Sequence, residues 1–541
     1  MAAKIRPDRS AIDRRFVCCG RCRAGPVAQD LLGMRRREFL SRVAASSAVI
    51  TMPAFLAGCG ISQTITAADP VPDNPFLHWF GIDEATIQRV MAELVANGAD
   101  TADLYFQHKR SSVMTLDFGL VSNVGTDVLQ GLGLRVVIGG RVGYASTEDL
   151  TVPGMLAAAK DAASIASRAS ASSPQTFEAS RGGDLYASEV PWTDVGVDLK
   201  LPLLKSIDLA CRNADSAVRN VRVKLTDVDE KVLVATLDGR LVFDDRPMTR
   251  LSAQVSAIRD KQTHSGFASI AAREELSWYT SDRLDELAHE AVAKTMVLFD
   301  ARRAPTGEMP VILAAGGCGV LLHEAIGHGL EADFNRIGKS QYSAMIGEKV
   351  ADSLVTIVDQ ATLPNERGAL NYDDEGSECG STRLIENGIL KSYLHDSNSA
   401  AYYNIATTGS GRRESYRFAP MPRMTCTFME NGPHEKDEIV AAVERGVIVE
   451  NIAQGQVELG VGDYRFKVRN GWLVEKGQIT KPLRDFIISG NGPDTLQRIE
   501  MVGSDARFDS GGWTCGKNGQ SVPVSQGMPT VLVSRMNVGG A

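Results

Sequence analysis

The chain is poor in several things that specialised proteins depend on. Nine cysteines in 541 residues are too few for a disulfide scaffold. Basic charge is scarce: the net charge is −8, and no long basic block lies beyond the first 40 residues. A phosphate-tracking basic face is therefore absent, and nucleic acid is excluded as a partner. No apolar run approaches a series of membrane spans, and no repeat of 20–50 residues marks a solenoid or propeller. What remains is an ordinary globular composition, 43% hydrophobic and 23% charged. At ~150 residues per domain the length corresponds to three or four domains.

The first sixty residues read as an address. Met34-Arg35-Arg36-Arg37-Glu38-Phe39-Leu40 is a charged head, followed by a small and apolar stretch from Val43 to Gly58. That stretch is shorter than the ~20 residues of a spanning helix, and Pro53 interrupts it. Arg36-Arg37-Glu38-Phe39-Leu40 resembles the twin-arginine export motif, and Leu56-Ala57-Gly58-Cys59 resembles a lipobox. These imply a leader over 1–59 with Met34 as the working start, lipidation of Cys59, and a periplasmic or cell-envelope location. Cys18, Cys19 and Cys22 lack a second pair to complete a zinc site, and residues 1–33 are left out of the fold.

A tether is expected over 60–80. Two domains follow, an N-terminal α+β domain over 81–305 and a C-terminal β-rich domain over 306–541. Helical spacing runs over 83–97, 155–167, 199–217 and 282–298, the last with Ser281 as N-cap. Period-two alternation predicts strands over 104–108, 112–118, 120–126, 131–138, 141–146, 221–227, 231–236, 240–245 and 249–259. Separated runs of strands and helices indicate an α+β class. Beyond Met309, a short apolar strand and a Gly-rich turn lead into a helix over 320–330. Dense turn signals after it predict a barrel or sandwich carrying that helix.

The chemistry concentrates in Leu321-Leu322-His323-Glu324-Ala325-Ile326-Gly327-His328-Gly329. Two of only eight histidines flank one glutamate. Zinc favours imidazole nitrogen and thiolate, and a neighbouring carboxylate can serve as general base for water. In the familiar H-E-x-x-H pattern both histidines share a helix face. Here the spacing is five, and on a regular α-helix the two side chains diverge by about 140°. Gly327 is where the helix can bulge or end, and a π-type turn is expected there to bring His328 beneath His323. Glu331, three residues after His328, is a candidate for either a third ligand or outer support. Arg412, Arg413 and Tyr416 are candidates for binding a peptide terminus or an oxyanion, with a salt-bridged turn as the alternative. Asp373, Asp374 and Glu375 read as a solvated acidic turn. His395 and His434 read as surface or hydrogen-bonded residues, and Cys318, Cys379 and Cys426 as structural.

These blocks resemble the TldD/PmbA metallopeptidases from roughly Ile82 to Gly540. Residues 131–144 and the Ala-rich helix that follows carry the likeness in the N-terminal half. In the C-terminal half it rests on the His323–His328 motif, residues 329–336, Asp373-Asp374-Glu375-Gly376, Gly411-Arg412-Arg413-Glu414-Ser415-Tyr416, residues 420–424, Met501-Val502-Gly503 and residues 515–524. The intact H-E-x-x-x-H is similar to the catalytic TldD arm. The resemblance implies a zinc ion on His323, His328 and Cys515, with Glu324 as general base. It further implies a peptide substrate, unfolded or short, and a homodimer or a heterodimer with a related chain. A non-catalytic partner subunit is the alternative within the same family.

Overall fold

The computed structural model describes residues 74–540 other than 166–171, 184, 187 and 459. The twin-arginine motif, the lipobox and Cys59 lie outside the described residues. The tether expected over 60–80 gives way to a helix over Pro75–Phe80, whose first amides are capped by the Asn74 side chain.

The structure is mixed α and β, with strand outweighing helix. Its first sheet has eight strands. Thr101–Asp117 and Leu120–Ile138 form a long antiparallel hairpin, and Thr101–Asp117 pairs on its other side with Val218–Thr236. Val218–Thr236 then forks. Its C-terminal half pairs with Arg240–Asp245 and its N-terminal half with Met248–Arg259. The long strands thus serve two cores. Leu104, Phe106, Leu132, Leu134 and Val136 pack with the helices Glu84–Leu94 and Val152–Ile165. Met114, Leu116, Val221, Val223 and Leu225 pack with Val197–Ala214 and Ser281–Asp300.

The expected helices are present, with Thr280 rather than Ser281 capping the last by accepting from the Arg283 amide. The strand pairs expected over 104–118, 120–138 and 221–236 are each one continuous strand. The polar stretches that suggested breaks are crossings between the two cores.

The C-terminal half contains two further large sheets and a small two-stranded one, Gly411–Arg412 with Met421–Pro422. Gly307–Leu313, Arg445–Glu458, Asp463–Glu475, Gln478–Asn491 and Val531–Gly540 close into a five-stranded barrel, because Val531–Gly540 pairs with both Gly307–Leu313 and Gln478–Asn491. The other sheet joins Ile357–Gln360, Cys426–Met429 and Gln520–Met528, with Trp513–Lys517 hairpinned onto the last. Asn518 and Gly519 make that hairpin turn with positive φ at both residues, as a two-residue turn of matching twist requires. The short helix Val320–Ala325 is buried in the core that the barrel and this sheet share.

Candidate metal centre

The helix Val320–Ala325 ends at Ile326, and a 3-10 turn over Gly327–Leu330 follows. No π-type turn forms. The tighter turn changes the angular step, so the 140° divergence of a regular α-helix does not apply. The rings of His323 and His328 lie 5.0 Å apart, centroid to centroid, and nearly perpendicular at 82°. Gly327 is needed for close approach rather than for its φ: a Cβ there would lie 2.0 Å from the Met424 sulfur.

Cys515 comes from the Trp513–Lys517 strand. Its Sγ is 3.4 Å from Nε2 of His328. One ligand atom from each of His323, His328 and Cys515 lies within 4.8 Å of the others, and all three residues are buried. Among the described residues neither ring nitrogen of His323 has a hydrogen-bond partner, although both are shielded from water. Buried polar atoms are normally satisfied, so a bare imidazole beside a thiol and a second imidazole marks a position for an electrophile. Burial alone would push the Cys515 thiol up, but the two imidazoles pull it well below the ordinary thiol range. The donor set, two nitrogens and a thiolate, suits a borderline-soft ion such as zinc and leaves a fourth position open.

Glu331 is an outer support. It is fully buried, and its Oε2 lies 2.9 Å from Nδ1 of His328 and 2.9 Å from Nζ of Lys517. Burial would raise its carboxyl, but Lys517 and His328 hold it down at about 2. A carboxylate on Nδ1 fixes the tautomer that presents Nε2 toward Cys515. Burial disfavours the His328 cation, yet Glu331 and the Cys515 thiolate together hold it well above the ordinary imidazole value. Arg423 donates to the Cys515 carbonyl at 2.6 Å, and Lys517 also reaches Asp333 at 2.8 Å. Sequence reasoning passed over Arg423 and Lys517. The signal for Lys517 was strand alternation, since position 517 shares a face with 515. Glu324 is half-buried, and its carboxylate has no bonded partner among the described residues.

The other candidates are engaged elsewhere. Arg412 donates to the carbonyls of Met424 and Pro523 at 2.5 and 2.7 Å. Arg413 pairs with Asp103 at 2.8 Å and lies over the Tyr105 ring. Tyr416 is buried against the first sheet, its amide donating to Gln107 Oε1 and its hydroxyl contacting Glu148. The acidic turn is not solvated: Asp373, Asp374 and Glu375 are all buried. Asp374 receives Arg246 at 2.6 Å, Glu375 receives Arg135 at 2.5 Å, and Asp373 accepts the amides of Glu375, Ser377 and Gly411. His395 is buried beside Tyr393 and Tyr403 with its Nδ1 unpartnered, so it is neither a surface nor a fully satisfied residue. His434 meets the Val502 carbonyl through Nδ1.

Comparison with known proteins matches this architecture along its length. Family models described as PmbA/TldA metallopeptidase domain 1, central domain and C-terminal domain match residues 102–166, 190–299 and 306–540. A metalloprotease TldD homolog of Haemophilus influenzae is 36% identical over 474 residues, covering 86% of this chain and 98% of its own. A zinc metalloprotease TldD homolog of Saccharolobus solfataricus is 38% identical over 235 residues, 43% of this chain and 52% of its own. Among solved structures, TldE of Thermococcus kodakarensis shares the fold with a TM-score of 0.66 at 17% identity, over 84% of this chain and 99% of its own. A Thermotoga maritima protein described as a proposed modulator of a DNA gyrase does so with a TM-score of 0.70 at 22% identity, over 84% and 99%. The matched models span most of the sequence and the Haemophilus relative is aligned almost end to end, so the chain belongs to the PmbA/TldD metallopeptidase family.

Proposed function

We propose that the chain is a zinc-dependent peptidase acting on unfolded or short peptides, with His323, His328 and Cys515 as the ligands. The observation that carries this reading is the convergence of three buried donors within 4.8 Å, one of them an imidazole with no other partner. Zinc is supported by the N/N/S donor set and by the name of the Saccharolobus relative. Zinc held there would polarise a carbonyl and make water a stronger acid at neutral pH.

The chain's own residues do the rest. Glu324 takes the proton from the attacking water and returns it to the leaving amine. Glu331 keeps Nδ1 of His328 occupied so that Nε2 is the ligating atom, and Lys517 and Arg423 keep Glu331 ionised. The peptide is held by strand addition to an open sheet edge. The likeness to TldE supports pairing with a related chain or a second copy. Export and lipidation at Cys59 rest on the leader motifs alone, and cell fractionation tests them.

Metal analysis and peptide cleavage with wild type and Glu324→Ala test the central claim. A peptidase holds metal in both proteins and cleaves only as wild type, with a loss of at least about a hundredfold in the variant. Metal in both without cleavage in either identifies a storage protein. Metal in neither identifies a non-catalytic partner subunit.

A further inference from the structure

A second cluster of charged side chains lies outside the metal centre. A cavity of about 280 Å³ opens between the first sheet and the C-terminal loops, at the small end of ligand-binding sites. Its lining carries six cationic side chains against three carboxylates. Three of the cations, Arg273, Arg367 and Arg412, have no carboxylate partner among the described residues. Arg273 is 2% exposed; its Nε has no partner, and its guanidinium lies over the Tyr186 ring with one long contact to the Pro247 carbonyl. Among the described residues Arg367 hydrogen-bonds to the Trp513 carbonyl, the Met248 sulfur and the Thr514 hydroxyl, none of them charged. Among the described residues the side chain of Arg412 donates to two carbonyls and forms no ion pair.

The cavity's carboxylates are already engaged. Asp374 is bonded to Arg246 and the Arg413 amide, Glu230 to Gln107, and Glu414 to the Ser521 amide. Burying guanidinium groups without counter-charge is costly unless something pairs with them. Burial and the neighbouring arginines push Arg367 down to about 10, and they do the same to Arg412 against the opposing pull of Asp374. Guanidinium pairs bidentately with phosphate or carboxylate, and several such groups converging on one space favour a ligand of more than one charge.

We propose that this cavity binds a small polyvalent oxyanion, phosphate-bearing or polycarboxylic. The ligand is a separate molecule rather than the far end of a peptide at the metal centre. Thr514 and Pro523, paired across the hairpin, line the cavity, whereas their neighbours Cys515 and Val522 are buried on the hairpin's opposite face. The hairpin thus stands between the two sites. Through Arg367 and Arg412, which hold Trp513, Thr514 and Pro523, the anion braces both strands of the hairpin that carries Cys515.

The test uses the full chain and does not depend on peptidase activity. Thermal unfolding and calorimetric titration are run with inorganic phosphate and with citrate, against chloride at equal ionic strength. Saturable stabilisation by phosphate, citrate or both, beyond that of chloride, supports the site, and the tighter of the two names the ligand chemistry. Arg273→Gln and Arg367→Gln each weaken binding by about tenfold or more, the value of a lost charge-assisted hydrogen bond. Lys109→Gln, at a half-buried lining position, gives the same direction should a buried arginine variant fail to fold. Stabilisation no greater than that of chloride, or full affinity in all the variants that fold, overturns the proposal.

Discussion

Glu331 keeps a negative charge at 0% exposure, with an imidazole on one side and Lys517 and Arg423 on the other. Removing that charge while keeping the side-chain shape leaves Lys517 under-paired and lets the His328 ring turn. Glu331→Gln therefore lowers metal affinity by about ten- to a hundredfold, read by chelator competition, because outer carboxylates orient ligating histidines. Glu324 faces no such partner, so its substitution leaves metal content intact and removes turnover. Gly327 acts through space alone. Gly327→Ala drives a methyl into Met424 and costs about 1–3 kcal/mol by denaturant unfolding, an overpacking penalty. Met424→Ala in the same chain recovers part of it. The close approach behind Gly327 could not be read from sequence, since Met424 is distant in the chain. The histidine spacing did show that a regular helix had to break near Gly327, but not that a 3-10 turn would replace it.

The forked first sheet is fastened to the C-terminal loops by a buried ion-pair network. Arg135 bridges Asp103 and Glu375 at 2.5 Å each, Arg413 reaches Asp103 at 2.8 Å, and Arg246 joins Asp244 to Asp374. Breaking one buried partner strands the other, so Arg413→Met destabilises by about 3–5 kcal/mol. A steady-state split separates this from peptide binding: a structural role lowers the unfolding midpoint while KM of the folded fraction holds. The network also explains which elements were legible. Helices such as Glu84–Leu94 and Ser281–Asp300 bury one stripe, and their periodicity is local. Asp373, Asp374 and Glu375 looked solvated because the partners that bury them are not local: Arg246 and Arg135, far away in sequence, hold Asp374 and Glu375, and Asp373 is held by backbone amides that include the distant Gly411. The long strands looked broken for a related reason. The polar run Lys109-Arg110-Ser111-Ser112 lies between two cores, and no local pattern distinguishes a crossing from a turn.

For the molecule as a whole, stability on the acid side depends on groups that fold in one protonation state. Burial pushes His395 down to about 4 from its ordinary 6.5. A base with a lowered folded value contributes fully above the unfolded value, and that contribution is lost as pH falls through the folded one. The His395 contribution to unfolding free energy therefore declines between pH 6.5 and 4, and His395→Phe, which keeps the contacts with Tyr393 and Tyr403, removes that part of the pH dependence. Asp374 has the same sign at lower pH, since Arg246 and Arg413 overcome burial to hold it below the usual carboxylate value. Burial and the Glu375 charge push Asp373 up to about 8, which acts with the opposite sign, so the His395 assignment is read as the difference between wild type and His395→Phe, and identical slopes between pH 6.5 and 4 contradict it. Finally, His328 and Cys515 meet across 187 positions of chain. No fragment that stops short of residue 515 assembles the trio. On the proposed function, truncation upstream of it yields a product unable to load the ion, so a shortened copy is silenced outright instead of surviving as a stray, unsupervised hydrolase.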